Sequence, residues 1–253
     1  MVDPTKRFSN RVENYIKFRP GYPDAVIDLL TEECGLIQQS IIADIGSGTG
    51  ILSELFLKIG NQVFGVEPNA PMREAGEKLL ERYAQFTSIN GAAEATILSD
   101  NSVDFVVAGQ ASHWFDQKCA RAEFSRILKP NGWVILLWNE RRIDSTPVLR
   151  AFEQLLLKFG TDYQEVRHER VYQDVESFFA PRKFKLRTFD NLQSFDFQGV
   201  KGRLLSSSYV PAPGDEDFEA MLEELRKIFD EHQEAGEVAF EHDTKVYFGR
   251  LKN

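Results

Sequence analysis

The stretch DIGSGTG at residues 44–50 contains three glycines at alternate positions, Gly46, Gly48 and Gly50. Glycines allow positive φ angles and let a ligand approach the backbone closely. The spacing GxGxG differs from the dinucleotide fingerprint GxGxxG, because Ile51 stands where the third glycine would be. No lysine directly follows the loop, as one would in a phosphate-binding loop. The loop is therefore predicted to hold a nucleoside without phosphates.

A carboxylate, Glu67, ends the next apolar run, QVFGVE at residues 62–67. At the end of a second strand it could accept hydrogen bonds from both hydroxyls of a ribose. Taken alone, Glu67 could equally cap the following helix together with Asn69. Beside the glycine loop the ribose interpretation is favoured, so the expected ligand is a phosphate-free adenosine.

These residues need a scaffold, and the first 140 residues predict one. Short β-branched runs alternate with amphipathic stretches, which indicates right-handed crossovers and a mostly parallel sheet covered on both faces. The predicted strands lie at 41–45, 62–67, 86–90, 102–109 and 132–140. We expect a single domain of four segments: N-terminal cap helices at 1–40, a cofactor-binding core at 41–140, a helical insertion or lid at 141–182, and completion of the sheet at 183–253. Within the last segment, Asp215 is predicted to cap a helix.

Composition excludes several classes of partner. The net charge of -9 argues against a nucleic-acid or anionic-membrane surface. Cys34 and Cys119 form no CxxC pattern, so neither a disulfide framework nor a metal site is expected. No signal peptide or membrane-spanning run is visible. We expect a soluble, cytoplasmic monomer or homodimer.

Four segments in order resemble class I S-adenosylmethionine-dependent methyltransferases: DIGSGTG, GVEPN, INGAAEATILSDNSVDFVVAG and ILKPNGWVILLWNE. RFSNRVENYIKFRPGYP, HWFD, SSSYVP and TKVYFGRL are similar to the small-molecule branch that includes trans-aconitate-type enzymes. The resemblance implies an α/β fold with a doubly wound, mostly parallel seven-stranded sheet and an antiparallel last strand. It also implies S-adenosyl-L-methionine as cofactor.

The resemblance implies a set of cofactor-binding residues along this chain. Met72 would pack on the adenine, although a methionine on an amphipathic helix is more often core. Tyr15 and Arg19 would lie near the cofactor's carboxylate, or else form a surface ion pair. The implied set is Tyr15, Arg19, Asp44, Gly46, Ser47, Gly48, Gly50, Glu67, Pro68, Met72, Ala92, Ala93, Gly109 and Gln110.

On the acceptor side, His113 could act as a general base, or with Trp114 simply line the cavity. Two arginines after the fifth strand, Arg141 and Arg142, would suit a carboxylate-bearing acceptor, or only solvate a loop. Aromatic faces of Tyr15, Trp114 and Trp138 could favour the cofactor's positive charge, or be core residues. The candidate acceptor-binding residues are Trp114, Asn139, Arg141, Ser207 and Tyr209.

The expected function is methyl transfer to a small molecule, with a carboxylic acid as the candidate acceptor, by direct in-line displacement. The turn NPPY, used by nucleic-acid amine methyltransferases, is absent where this chain has GQASHW. A non-catalytic sensor or partner protein that binds the cofactor would carry the same motifs. A nicotinamide-dependent oxidoreductase ranks third, because Ile51 replaces the glycine it requires.

Overall fold

The computed structural model describes residues 12–163 and 171–252. The helices are α1 (Val12–Phe18), α2 (Ala25–Cys34), α3 (Ile51–Leu57), α4 (Ala70–Leu80), α5 (Gln117–Ile127), α6 (Pro147–Phe159), α7 (Val171–Phe179), α8 (Phe197–Leu205) and α9 (Phe218–His232). The strands are β1 (Ile41–Ile45), β2 (Gln62–Val66), β3 (Phe86–Ile89), β4 (Val103–Gly109), β5 (Leu128–Arg141), β6 (Phe184–Phe195) and β7 (Val238–Gly249). A 3-10 turn, Ser112–Trp114, follows β4.

The seven strands form one sheet in the order β3-β2-β1-β4-β5-β7-β6. The strands from β1 to β5 are parallel to one another, whereas β7 runs antiparallel to both β5 and β6. This confirms the predicted doubly wound sheet with an antiparallel last strand. Strand order reverses between β1 and β4, and in open α/β sheets the ligand cleft opens beyond the carboxyl ends of such strands.

Three clusters of buried side chains hold the elements together. Two of them cover the two faces of the sheet, around Phe124 and Trp138 on one face and around Phe56 and Ile135 on the other. The third joins α6, α8 and α9 to one end of β6 and β7, with Phe152 and Phe240 in edge-to-face contact. The α7 helix packs instead on the sheet. The segment 141–182 is thus divided between two layers.

Side-chain caps explain where several helices begin. Asn69, Asp116, Thr146 and Asp196 each accept a hydrogen bond from a backbone N–H of the first turn that follows. The predicted cap Asp215 is wrong. The helix α9 begins only at Phe218, and the Asp215 carboxylate accepts from the backbone N–H of Ala212, within the preceding turn.

The segment that precedes the core, from α1 to Tyr22, is fixed at two places. At the α1–α8 crossing, a Cβ added to Gly202 would lie 2.0 Å from the Phe18 ring. On β5, the Asn139 amide donates to the backbone oxygens of Pro20 and Gly21, at 3.3 and 3.1 Å. These contacts hold the segment against the carboxyl edge of the sheet. None of the helices in the described ranges is long and apolar enough to cross a bilayer.

Candidate active site

A cleft of about 430 Å³ opens at the carboxyl ends of β1 and β4. The α1 segment, the glycine loop and the end of β4 all contribute to its wall. Its lining residues are Tyr15, Arg19, Pro20, Tyr22, Asp44, Gly46, Ser47, Gly48, Thr49, Ile51, Leu52, Gly109 and Gln110. The structure therefore brings together eight of the fourteen residues expected around the cofactor. The sequence reasoning missed Thr49, Ile51 and Leu52, whose side chains gave no signal of their own.

The glycine loop bends sharply between β1 and α3. Gly46 has φ +70°, and a Cβ there would lie 2.7 Å from the Ala111 Cβ. The backbone N–H groups of Gly46 and Ser47 donate to the Val66 oxygen at 2.8 and 3.2 Å. Gly50 has φ +84° and packs against Leu80 at the start of α3, away from the cleft lining. Only residues without a Cβ fit these positions comfortably, so the loop backbone is exposed to a ligand.

Asp44 is the buried acid of the cleft. Its side chain is fully buried; Oδ2 accepts from the Ser53 hydroxyl at 2.6 Å, and Oδ1 has no hydrogen-bond partner among the described residues. Burial raises the pKa of Asp44 to about 7, the Ser53 hydrogen bond lowers it, and the charge of Glu67 raises it further. An orphaned carboxylate oxygen in a low-dielectric cleft is suited to a cationic ligand group.

Glu67 is tied to the glycine loop through both carboxylate oxygens. Oε2 accepts from the Gly48 N–H at 2.9 Å, and Oε1 accepts from the Asn69 N–H at 2.8 Å. Burial raises the pKa of Glu67, while the hydrogen bonds from Asn69 and Gly48 act to lower it. Glu67 thus caps the start of α4 and also positions the loop. Each oxygen retains a lone pair for a ribose hydroxyl, so the two interpretations of Glu67 are compatible.

The expected adenine residues lie beside the cleft rather than in its described lining. Met72 is 4% exposed, and its methyl group would be 3.3 Å from a Cβ on Gly48. Pro68 follows Glu67, and Ala93 is buried next to Ala92 in the loop after β3. Their contact with an adenine remains a prediction.

Tyr22 and Arg19 close the cleft from the N-terminal side. A Cβ on Gly109 would lie 2.3 Å from the Tyr22 hydroxyl, so the glycine at the end of β4 leaves room for that ring. Burial, followed by the charges of Tyr15 and Asp44, raises the pKa of Tyr22 well above its usual value. The Arg19 guanidinium stacks over the Tyr15 ring at 5.1 Å and donates to the Ser206 backbone oxygen at 3.0 Å.

His113 is not among the residues that line this cleft. Its ring packs on Trp114 at 4.5 Å and lines a second, small pocket with Trp138 and Phe178. Trp138 is 2% exposed and belongs to the core on the α5–α7 face of the sheet. Gln110, which lines the first cleft, donates to the Asn139 backbone oxygen at 3.0 Å. The catalytic role of His113 and the binding role of Trp114 remain predictions without a geometric link to the cofactor cleft.

Asn139 and the two arginines after β5 are already engaged within the chain. Asn139 holds Pro20 and Gly21, as described above, and its oxygen accepts from Thr244 at 2.6 Å. Arg141 forms an ion pair of 2.5 Å with Glu153, in which the side chains are 9% and 7% exposed. Arg142 pairs on the surface with a set of carboxylates, those of Asp190, Glu241 and Asp243.

Around the end of α8, several polar side chains are buried close to the α1 segment. Arg203 is 8% exposed, and its Nη1 reaches the hydroxyls of Ser206 and Ser207 only at 3.5 Å each. Burial would raise the pKa of Tyr209, but the charges of Arg19 and Arg203 and a hydrogen bond with Ser207 lower it overall. His242, on β7, is 1% exposed; burial and the charges of Arg203 and Arg141 lower its pKa to about 3. Neither Arg203 nor His242 lies in a recognisable motif.

Comparison with known proteins gives the same class as the fold. A methyltransferase domain family matches residues 43–136. An uncharacterised methyltransferase of Schizosaccharomyces pombe is 28% identical over 247 residues, 96% of each chain. A methyltransferase-like protein of the same yeast is 32% identical over 158 residues, which cover 62% of this chain and 60% of that protein. A solved structure assigned as a type II methyltransferase from Anaeromyxobacter dehalogenans has a TM-score of 0.67 at 23% identity, covering 93% and 99% of the two chains.

The matches give the chain a methyltransferase domain at residues 43–136, and its sheet order and glycine loop are similar to those of class I S-adenosylmethionine-dependent methyltransferases. Its own residues fit that cofactor. The orphaned Asp44 Oδ1 suits the ammonium of the methionine part, and the Arg19 guanidinium at the same cleft suits its carboxylate. Glu67 offers carboxylate lone pairs to a ribose.

Proposed function

We propose that the protein transfers the methyl group of S-adenosyl-L-methionine to a small acidic molecule, and that the cleft between the glycine loop and Tyr22 binds the cofactor. The observation that carries the proposal is Asp44: a fully buried carboxylate with one oxygen lacking a partner among the described residues, at the wall of the cleft. Such a group is costly to leave uncompensated. A bound ammonium removes that cost.

When bound, the cofactor supplies a methyl group on a positively charged sulfur. The chain's contribution is to bind and orient. Asp44 accepts from the ammonium, Arg19 donates to the carboxylate, and Glu67 accepts from the ribose hydroxyls. Gly109 and Gln110 line the cleft beside Tyr22 and are proposed to face the methionine part of the cofactor. Holding an acceptor in line with the transferable group supplies a large part of the acceleration in such displacements.

The proposal also covers the partners of the protein and its location in the cell. The acceptor is a small molecule, with no nucleic acid or membrane involved, in keeping with the net charge of -9. The protein works in the cytoplasm as a monomer or homodimer. Ser207 and Tyr209, near Arg19, are proposed to contact the acceptor.

Calorimetric titration with S-adenosylhomocysteine tests the cofactor site. We expect Asp44→Asn and Glu67→Gln each to weaken binding by more than about tenfold, or about 1.4 kcal/mol. The matched control is Asp230→Asn, which removes an exposed carboxylate paired with Arg226 on α9. Unchanged affinity in both site variants would refute the site. Transfer of a labelled methyl group to members of a set of small acids then tests the activity itself.

A further inference from the structure

Arg203 is a buried cation without a counter-ion. Its side chain is 8% exposed, and no carboxylate of the described residues lies within ion-pair distance. The Nε atom has no hydrogen-bond partner there either. Burial and the charge of Arg19 lower the pKa of Arg203 to about 9, so the group remains charged at neutral pH. Burial, Arg19 and Arg141 thus oppose the charge of Arg203, and the effects of Tyr209 and Tyr15 in the other direction do not offset them.

The contrast with Arg141 is informative. Arg141 is equally buried, but the Glu153 carboxylate accepts from it at 2.5 Å, and the Tyr163 hydroxyl donates to the same carboxylate at 2.6 Å. Among the described residues, one interior arginine therefore has a carboxylate partner and the other has none. Because proteins seldom leave a buried guanidinium uncompensated, the missing anion at Arg203 points to a ligand.

The position of Arg203 indicates which ligand. Arg203 follows Gly202, where α8 meets Phe18 of α1, and Arg19 comes directly after that helix. Arg19 lines the cofactor cleft and also donates to Ser206, one turn beyond Arg203. Arg19 thus lies between the cofactor cleft and Arg203. The cofactor has a single carboxylate, which Arg19 is placed to bind.

Resting on the function proposed above, we propose that Arg203 binds an anionic group, carboxylate or phosphate, of the methyl acceptor. Arg203 would then be a specificity-determining residue: acids are bound and their neutral analogues are not. The Ser207 hydroxyl and the Tyr209 phenol lie near the Arg203 guanidinium. The charges of Arg19 and Arg203 lower the pKa of Tyr209, although burial acts to raise it. The neutral His242 imidazole faces it from β7.

Thermal unfolding of the protein saturated with S-adenosylhomocysteine tests this role. The probes are citrate and succinate as carboxylates, glycerol 3-phosphate as a phosphate ester, and succinamide as a neutral analogue, each at millimolar concentration and at matched ionic strength. We expect at least one anion, and not succinamide, to raise the melting temperature of the wild type by about 2 °C or more. Which anions act distinguishes carboxylate from phosphate.

Two substitutions then assign the response to Arg203. Arg203→Met should abolish the anion-dependent shift, and Arg203→Lys, which keeps a charge, should restore part of it. Without anions, Arg203→Met should melt at or above the wild-type temperature, because it removes an uncompensated buried charge. The control Arg150→Met, on the exposed side of α6, should respond to anions as the wild type does.

Three outcomes would overturn the proposal. They are the absence of any anion response in the wild type, a full response in Arg203→Met, and an Arg203→Met protein that melts several degrees lower, as a purely structural arginine would cause. Calorimetry with S-adenosylhomocysteine on the same wild-type sample shows whether the proposed cofactor site is present when the anion response is missing. Binding of that ligand without an anion response refutes only the role of Arg203.

Discussion

Asp44 links the protonation state of the cleft to cofactor affinity. Burial raises its pKa to about 7, with Glu67 adding to the rise and Ser53 opposing it. A protonated Asp44 cannot pair with an ammonium, so affinity for S-adenosylhomocysteine should fall as the pH drops through 7, by up to about tenfold per pH unit. The ligand's ammonium stays charged over this range. Calorimetry between about pH 5.5 and 7.5 measures the slope.

The variant Asp44→Asn serves as the reference for that slope. It should bind more weakly at pH 7.5 and show a flatter pH dependence, because the titrating group is gone. Burial also raises the pKa of Glu67, but Glu67 is present in both proteins. The difference between the two slopes is therefore due to Asp44. Equal slopes in the two proteins would show that a group other than Asp44 causes the pH dependence.

A second prediction for single residues concerns the ion pair between Arg141 and Glu153. Arg141→Met should lower the free energy of unfolding by about 3–5 kcal/mol, because it removes one partner of a buried ion pair with Glu153. Arg187→Met, which breaks an exposed pair with Glu33, should cost about 0–1 kcal/mol. Denaturant unfolding gives both values.

A double variant checks the cause. Arg141→Met combined with Glu153→Leu removes both charges and should recover much of the lost stability. A double variant less stable than Arg141→Met alone would show that other contacts of Glu153, such as the hydrogen bond from the Tyr163 hydroxyl, outweigh the cost of its buried charge.

Among the elements, the α1–α8 crossing controls how the N-terminal segment covers the cleft. Gly202→Ala would place a Cβ 2.0 Å from the Phe18 ring, so the two helices must separate. Overpacking of this kind costs about 1–3 kcal/mol. Because Arg19 follows α1 and lines the cleft, we expect S-adenosylhomocysteine binding to weaken severalfold as well. Calorimetry and denaturant unfolding report the two effects.

Two further variants isolate the contact. A Cβ on Gly21 meets no atom within 4 Å, so Gly21→Ala should behave as the wild type. Shortening the partner ring, as Phe18→Leu in the Gly202→Ala background, should restore part of the affinity. Unaltered binding in Gly202→Ala would mean that this crossing does not position Arg19.

The core elements could be predicted from sequence because their signals are local. Strands β1 to β4 and helix α4 follow the alternation of β-branched runs, the Asn69 cap and the loop glycines, each readable within a few residues. The extent of β6 and β7 was harder to predict. Their twelve-residue pairing is stabilised by contacts between segments far apart in the chain, and the sequence allowed a strand or a hairpin at each.

The residues of the candidate site also differ in whether the sequence predicts them. Asp44, Gly46 and Glu67 lie in motifs, so their positions at the carboxyl edge follow from the order of strands. Arg203 and His242 carry no motif, and their importance arises only from burial beside Arg19. Asp215 was wrongly predicted as a cap because its side chain bonds a turn formed by the preceding prolines, a local competition that propensity alone does not resolve.

Over the whole molecule, the cofactor cleft is connected to the third hydrophobic cluster through the N-terminal segment. That segment contacts the sheet through Asn139 and contacts α8 through Phe18, and α8 belongs to the cluster built with α6 and α9. A ligand that contacts Arg19 should therefore also stabilise α8, although α8 does not line the described cleft. Coupling of this kind requires a physical chain of contacts, which this arrangement supplies.

Hydrogen exchange with and without S-adenosylhomocysteine tests this connection. At early times, before global unfolding contributes, we expect slower exchange in three regions: residues 12–22, the glycine loop at 44–52, and α8. Amides of α9, on the far side of the third cluster, should change little. In Gly202→Ala the protection of α8 should disappear, while that of the glycine loop persists at saturating ligand. Protection confined to the glycine loop in the wild type would show that the N-terminal segment neither closes on the ligand nor transmits its binding.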